Sequence, residues 1–359
     1  MGKWVIHQFG LPMLADGKSS VIPYIITVSA RALFDLEEEN QVFKTQGIDA
    51  FQRYQAERAN EVLKPGPLFS LVRKLLAFND IKPDNVPPFE VVLLSRNSTD
   101  TSVRVLNSIE HYGLPMIRAV FTGGRPSTNY LPAIGANLFL SSNAEEVARA
   151  IKEYGIAAAT IPTARKVDPS VINDKSTEIH IAFDGDSVLF SDEAERVYGE
   201  RGLEGFQRHE HEKAHIPLEP GPFRGVLEAI HRIQQAYPKN QCPIRTALVT
   251  ARSFPAHLRA NNTLTDWGVN LDEGMYLGGR NKAPFLKAFQ ADLFFDDSQA
   301  NIDQAMDVTV SAHVPWGIRN ELSAAPKRFS GDDVVAVGEP SPVETPAAPA
   351  PRRRRAGPR

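Results

Sequence analysis

Along most of the chain, short apolar runs rich in β-branched residues alternate with longer stretches whose apolar positions recur at helical spacing. That alternation predicts repeated βα units and a mostly parallel sheet. Three runs matter most: 179–183, 246–249 and 292–295 are mostly apolar, as buried strands are, and they give way to Asp184, Thr250 and Asp296. Ligands of open α/β sheets bind just beyond such carboxyl ends. One pocket is therefore expected to collect these three residues.

The first half of the chain echoes the second. "GIDAFQRYQAER" from Gly47 matches "GLEGFQRHEHEK" from Gly202, "KPGPLFSLVRKL" around Gly66 matches "EPGPFRGVLEAI" around Gly221, and "FTGGR" with Gly123 matches "YLGGR" with Gly278. The differences 202 − 47, 221 − 66 and 278 − 123 are all 155. Three separated matches in one register predict two copies of one unit. At that offset Asp184 falls on Ser29, Asp186 on Arg31, Lys282 on Ser127, and Asp296 and Asp297 on Ser141 and Ser142. Near Ser29 the alignment softens by one residue, yet no pair of acids stands there. A scaffold that folds without these acids points to a chemical role for them in the second copy.

Composition adds bounds. With 359 residues, 42% hydrophobic and 23% charged, the chain has the make-up of a globular protein with room for two domains. No apolar run of about 18 residues occurs and the start, "MGKWVIHQFGLPML", lacks a secretory pattern, so a cytoplasmic protein without membrane attachment is expected. Cys242 stands alone and reads as a half-buried thiol. A net charge of −3 gives no case for nucleic acid. The Pro- and Ala-rich end with Arg352 to Arg355 is expected to be a disordered, solvated tail. The expected division is an extension over 1–20, an acid-free Rossmann-like unit over 21–175, a catalytic unit over 176–320 with a small helical cap at about 192–240, and the tail over 338–359.

Asp184-x-Asp186 alone is a weak signal, since two acids after a strand also make turns and helix caps. The downstream order is more specific: "ALVTARS" with Thr250, "GGRNKAPFL" with Lys282, then "LFFDDS" with Asp296 and Asp297. Taken singly, Thr250 could cap a helix, Lys282 could be solvated with Lys287 as a rival, and Asp297 could only support Asp296. Together, hard oxygen donors suit Mg²⁺ and a cation beside them suits a phosphate ester, whose attack requires charge neutralisation.

These four segments resemble the motifs of the haloacid dehalogenase-like phosphotransferases. Through "IAFDGDSVLFSDEAERV", "HEKAH", "CPIRTALVTARS", "FFDDS" and "EHYGLPMIRAVFTGG", the chain resembles the cytosolic 5′-nucleotidase type I family over roughly residues 20 to 318. The resemblance implies a haloacid dehalogenase-like Rossmannoid parallel sheet preceded by a degenerate repeat, and Mg²⁺-dependent hydrolysis of nucleoside 5′-monophosphates, characteristically AMP. It implies Asp184 as nucleophile, Asp186 as general acid and base and, through its backbone carbonyl, a metal ligand. Thr250 and Lys282 would hold phosphate, and Asp184, Asp296 and Asp297 the metal. Relatives suggest a homo-oligomer and a nucleotide effector, although nothing in the sequence marks an effector site; the first unit could be such a site, a dimerisation surface or packing mass, with packing against the second unit as the default expectation. The region around His209, Glu210, His211 and His215 reads as a solvated, salt-bridged helix face rather than a metal site, with Phe206, His209 and His215 as candidate contacts to the nucleotide. The other readings are a phosphatase for another small ester such as a sugar phosphate, and a nucleotide-binding regulator without turnover.

Overall fold

The computed structural model describes residues 22–323 except 165, 166, 168, 173 and 175. The expected N-terminal extension and the arginine-bearing tail lie outside the described residues. Ten strands form one sheet: β1 (Tyr24–Val28), β2 (Phe89–Ser95), β3 (Arg118–Phe121), β4 (Leu138–Ser141), β5 (Ala157–Thr160), β6 (Ile179–Phe183), β7 (Ile244–Thr250), β8 (Glu273–Tyr276), β9 (Leu293–Asp296) and β10 (Val310–His313). Their order is β3-β2-β1-β4-β5-β10-β9-β6-β7-β8. Each half thus lays its five strands down in the same order. Pairing within each half is parallel. The halves meet where Thr160 of β5 pairs antiparallel with His313 of β10.

That antiparallel seam has a geometric consequence. The strands of the two halves run in opposite directions, so their carboxyl ends open on opposite edges of the sheet. Within the second half, β6 and β9 are neighbours with Phe183 opposite Phe295, which sets Asp184 beside Asp296. Of the expected strands, 179–183 coincides with β6, while β7 and β9 extend one residue further, so that Thr250 and Asp296 end their strands.

The parallel strands are buried on both faces, which is why they read as apolar runs. Phe139, Phe183, Phe294 and Phe295 are almost wholly buried. One apolar cluster runs through both halves. The helices Phe69–Ile81 and Arg224–Gln235 contribute to it from each side: Leu71 and Leu75 of one and Val226 and Ile230 of the other line a small apolar cavity of about 30 Å³ with Ile26 and Ile181. A salt bridge of 2.7 Å from Lys74 to Asp292 also crosses between halves. The helix Arg224–Gln235, which falls in the span expected as a cap, therefore belongs to the packing of the sheet.

Local details recur 155 positions apart. The helices Glu37–Glu57 and Glu193–Glu212 are kinked at Gly47 and Gly202. Arg104 Nε donates to the Glu61 carbonyl at 2.9 Å, and Arg259 Nε to that of Ile216 at 2.9 Å. The Leu63 and Leu218 N–H groups bond to the hydroxyls of Ser108 and Thr263. The Pro-Gly-Pro turns pack against the segments that leave β1 and β6. A Cβ on Gly66 would stand 2.7 Å from Phe34 backbone, and one on Gly221 2.4 Å from the Val188 carbonyl, so only glycine fits. In the second half this turn presses on the segment carrying Asp184 and Asp186.

Candidate active site

Asp184, Thr250, Lys282, Asp296 and Asp297 come together at the carboxyl ends of β6, β7 and β9, all at least nine-tenths buried. Lys282, at the start of the helix Ala283–Phe289, extends Nζ between Asp184 Oδ1 at 2.8 Å and Asp296 Oδ2 at 2.7 Å. Burial pushes its pKa down, but the two carboxylates outweigh burial and raise it, so it stays charged. Lys287, the alternative cation, lies on the exposed side of that helix. The Gly185 N–H also donates to Asp184 Oδ1, at 2.7 Å. Asp296 is fixed by the Ser298 N–H at 2.8 Å and by the Asn301 amide at 3.0 and 3.1 Å. Thr250 closes the third side: its hydroxyl would lie 3.2 Å from any Cβ on Gly185, so the glycine lets the two segments approach.

Asp184, Asp296 and Asp297 each offer an oxygen within 4.8 Å of the others. Both oxygens of Asp297 are buried with no hydrogen-bond partner among the described residues. Burial, with Glu195, Asp184 and Asp296 close by, pushes Asp297 up to about 9, against the opposing pull of Arg319. Asp184 is pushed up to about 7, chiefly by burial, with Lys282 acting against the rise. Crowded, desolvated carboxylates of this kind are costly unless a cation joins them. Three hard oxygen donors with an orphaned carboxylate fit a divalent metal ion of the Mg²⁺ type.

Asp186 takes a different place. Its side chain turns from the three acids to Arg252, which holds it through Nε at 3.0 Å and Nη2 at 2.7 Å. Arg252 also bonds Glu210, which in turn receives Arg259 at 2.9 Å; Arg259 reaches Glu193 at 3.0 Å. Burial alone would raise Glu210, but the two guanidinium groups hold it low. Sequence reasoning missed this chain of ion pairs. Glu210 is not part of a solvated face, because its side chain is fully covered; His209 lies against it, and His211 and His215 are exposed. Arg252, two residues beyond Thr250 in "VTARS", carried a signal in that spacing, since strand ends place such residues on one side. Phe206 lies 5.8 Å from the Arg252 guanidinium, at the border of the site. Among the described residues, no group of these histidines is close enough to hold a metal.

A sequence model of the 5′-nucleotidase family matches residues 18–321. The chain belongs to the 5′-nucleotidase family. A curated relative in Homo sapiens, named Cytosolic 5'-nucleotidase 1B, is 38% identical over 289 residues, covering 78% of this chain and 47% of that protein. The chain thus spans about half the length of that 5′-nucleotidase. Among solved structures, histidinol dehydrogenase from Elizabethkingia anophelis matches with a TM-score of 0.18 and 8% identity over 77% of this chain and 73% of that one, too little to carry an argument. For this member of the 5′-nucleotidase family, the acid cluster and the buried Arg252 pair lie inside the matched span.

Proposed function

We propose that this protein hydrolyses nucleoside 5′-monophosphates, AMP among them, with Mg²⁺ and through a phosphorylated Asp184. The observation that carries the reading is Lys282 buried between Asp184 and Asp296, beside an Asp297 whose carboxylate oxygens have no hydrogen-bond partner among the described residues, in a chain of the 5′-nucleotidase family. Lys282 and the Gly185 N–H occupy Asp184 Oδ1, which leaves Oδ2 to attack phosphorus. As the Asp184–phosphorus bond forms, the bond to the ester oxygen breaks, and Asp186 gives that oxygen its proton. Asp186 then takes a proton from the water that attacks phosphorus, and phosphate leaves with Asp184 restored. Arg252 positions Asp186 for both steps. Thr250 donates its hydroxyl to a phosphoryl oxygen, and Lys282 balances the charge that accumulates there. Mg²⁺ held by Asp184, Asp296, Asp297 and the Asp186 carbonyl would supply further positive charge to the phosphoryl group.

Phe206 beside Arg252 and His209 beside Glu210, both on the helix Glu193–Glu212, support a role for this helix in gripping the nucleoside, with His215 as a further candidate contact. No helix among the described residues is long and apolar enough to cross a membrane, and a cytosolic location is part of this reading. So is the division into an acid-free first unit and a catalytic second one. The test is phosphate release from AMP, IMP, GMP, CMP, UMP and sugar phosphates, with Mg²⁺ and with EDTA, by the wild type and Asp184→Asn. Mg²⁺-dependent release from nucleotides that vanishes in the variant is expected. Release from sugar phosphates alone would move the substrate class, and release from no compound would overturn the catalytic reading.

A further inference from the structure

The first half carries a cavity of about 70 Å³ at the carboxyl ends of β1, β2 and β4, several times the roughly 10–15 Å³ that one water needs. It lies where the strand order of that half reverses, between β1 and β4, the position at which open α/β sheets bind ligands. It is on the opposite edge of the sheet from Asp184. Several donors stand on its wall among apolar groups such as Ala30 and Leu94. Ser29, Ser95 and Ser141 each accept a backbone N–H through the hydroxyl oxygen, from Ser142, Asn97 and Asn143 respectively. Among the described residues, none of these three hydroxyls donates to an acceptor. Ser95 and Ser141 are 5% and 1% exposed, so water access is small. The Asn40 amide nitrogen, also on the wall, is buried without an acceptor among the described residues.

Charge favours the same kind of ligand. Arg31 and Arg96 line the cavity against one carboxylate, Glu146. Arg31 bonds Glu37, and Glu146 is engaged by the Ser127 N–H and hydroxyl, both at 2.8 Å. At the Asp184 site, by contrast, three acids surround one lysine. Three idle serine O–H groups and the Asn40 N–H beside two guanidinium groups ask for an anionic acceptor with several oxygens. We propose that this cavity binds the phosphate group of a small phosphate compound, without metal and without hydrolysis, since no carboxylate stands where Asp184 and Asp186 stand in the second half. The site is independent of the catalytic reading.

The test is calorimetric titration of the full chain in EDTA with inorganic phosphate and, separately, AMP. Comparing the two ligands distinguishes free phosphate from a phosphate ester. Wild type and Thr250→Ala are expected to bind at least one of them alike, one per chain. Ser95→Ala with Ser141→Ala should weaken binding roughly tenfold or more, the usual loss when hydrogen bonds to a charged ligand go, and Ser141→Asp should abolish it. Thermal unfolding of each variant reports its fold, and the double alanine variant keeps the test valid if the aspartate variant fails to fold. No binding by wild type, or binding that survives the double alanine change and disappears in Thr250→Ala, overturns the proposal.

Discussion

The two ends of the sheet do the same backbone work with different side chains. Ser95 and Thr250 each accept the N–H two residues on, at 3.3 and 3.2 Å; Ser141 and Asp296 do the same at 3.2 and 2.8 Å. The scaffold therefore asks these positions only for one acceptor oxygen. A serine meets that demand and leaves a proton to donate. An aspartate meets it with one oxygen and leaves a second oxygen, and a charge, beyond what the fold uses. In the second half the surplus gathers around Lys282, at the cost of burying three acids together.

The largest test of the difference is Asp184→Asn, expected to lower phosphate release from AMP by several orders of magnitude, as loss of a nucleophile does; a rate within tenfold of wild type would remove Asp184 from that role. Thr250→Ala removes one donor to the phosphoryl oxygens and should cost about 100- to 1,000-fold in kcat with a smaller change in KM. Arg104→Ala and Arg259→Ala break buried ion pairs in equivalent settings, and each should cost about 3–5 kcal/mol in chemical denaturation. Only Arg259→Ala, which releases Glu210 from one of its two arginines, is expected to lower turnover as well. Equal effects of the two changes on kcat would show that the ion-pair chain to Asp186 is structural alone.

A smaller effect concerns pH. Asp297 is raised from its ordinary value to about 9, so between about 4 and 9 the folded chain holds a proton that the unfolded chain has lost. Stability in EDTA therefore falls as pH rises through that window. Asp297→Asn should raise Tm in EDTA, by more at pH 9 than at pH 5, and Mg²⁺ should raise the Tm of the wild type but hardly that of the variant. A Tm difference independent of pH would exclude this cause. The smallest expected change is in Phe206→Ala and His215→Ala, a rise in KM for AMP below about tenfold with kcat kept; no change would take both side chains out of nucleotide contact.

Much of this was legible in the sequence because parallel strands buried on both faces leave continuous apolar runs, and because function clusters where those runs stop. Asp184, Thr250 and Asp296 were found by that rule alone. The antiparallel seam at Thr160 and His313 was not, since two short strands meeting edge to edge leave no periodic trace. Glu210 was misread because a helix of alternating charges normally faces water. Its burial depends on Arg252 and Arg259, which lie more than forty residues away and approach only through the fold. The paired recurrence of Arg104 and Arg259 at the common spacing held that information, for a buried arginine is rarely kept without a partner.

The seam between β5 and β10 gives the molecule a mechanical asymmetry. In the sheet itself one residue pair links the two sets of five strands, and the His313 of that pair also bonds, through Nε2, to the Asp297 carbonyl at 3.0 Å. Asn320 holds the same carbonyl at 3.1 Å, so the backbone of the acid whose side chain is left unbonded among the described residues is tied directly to the line along which the two halves meet.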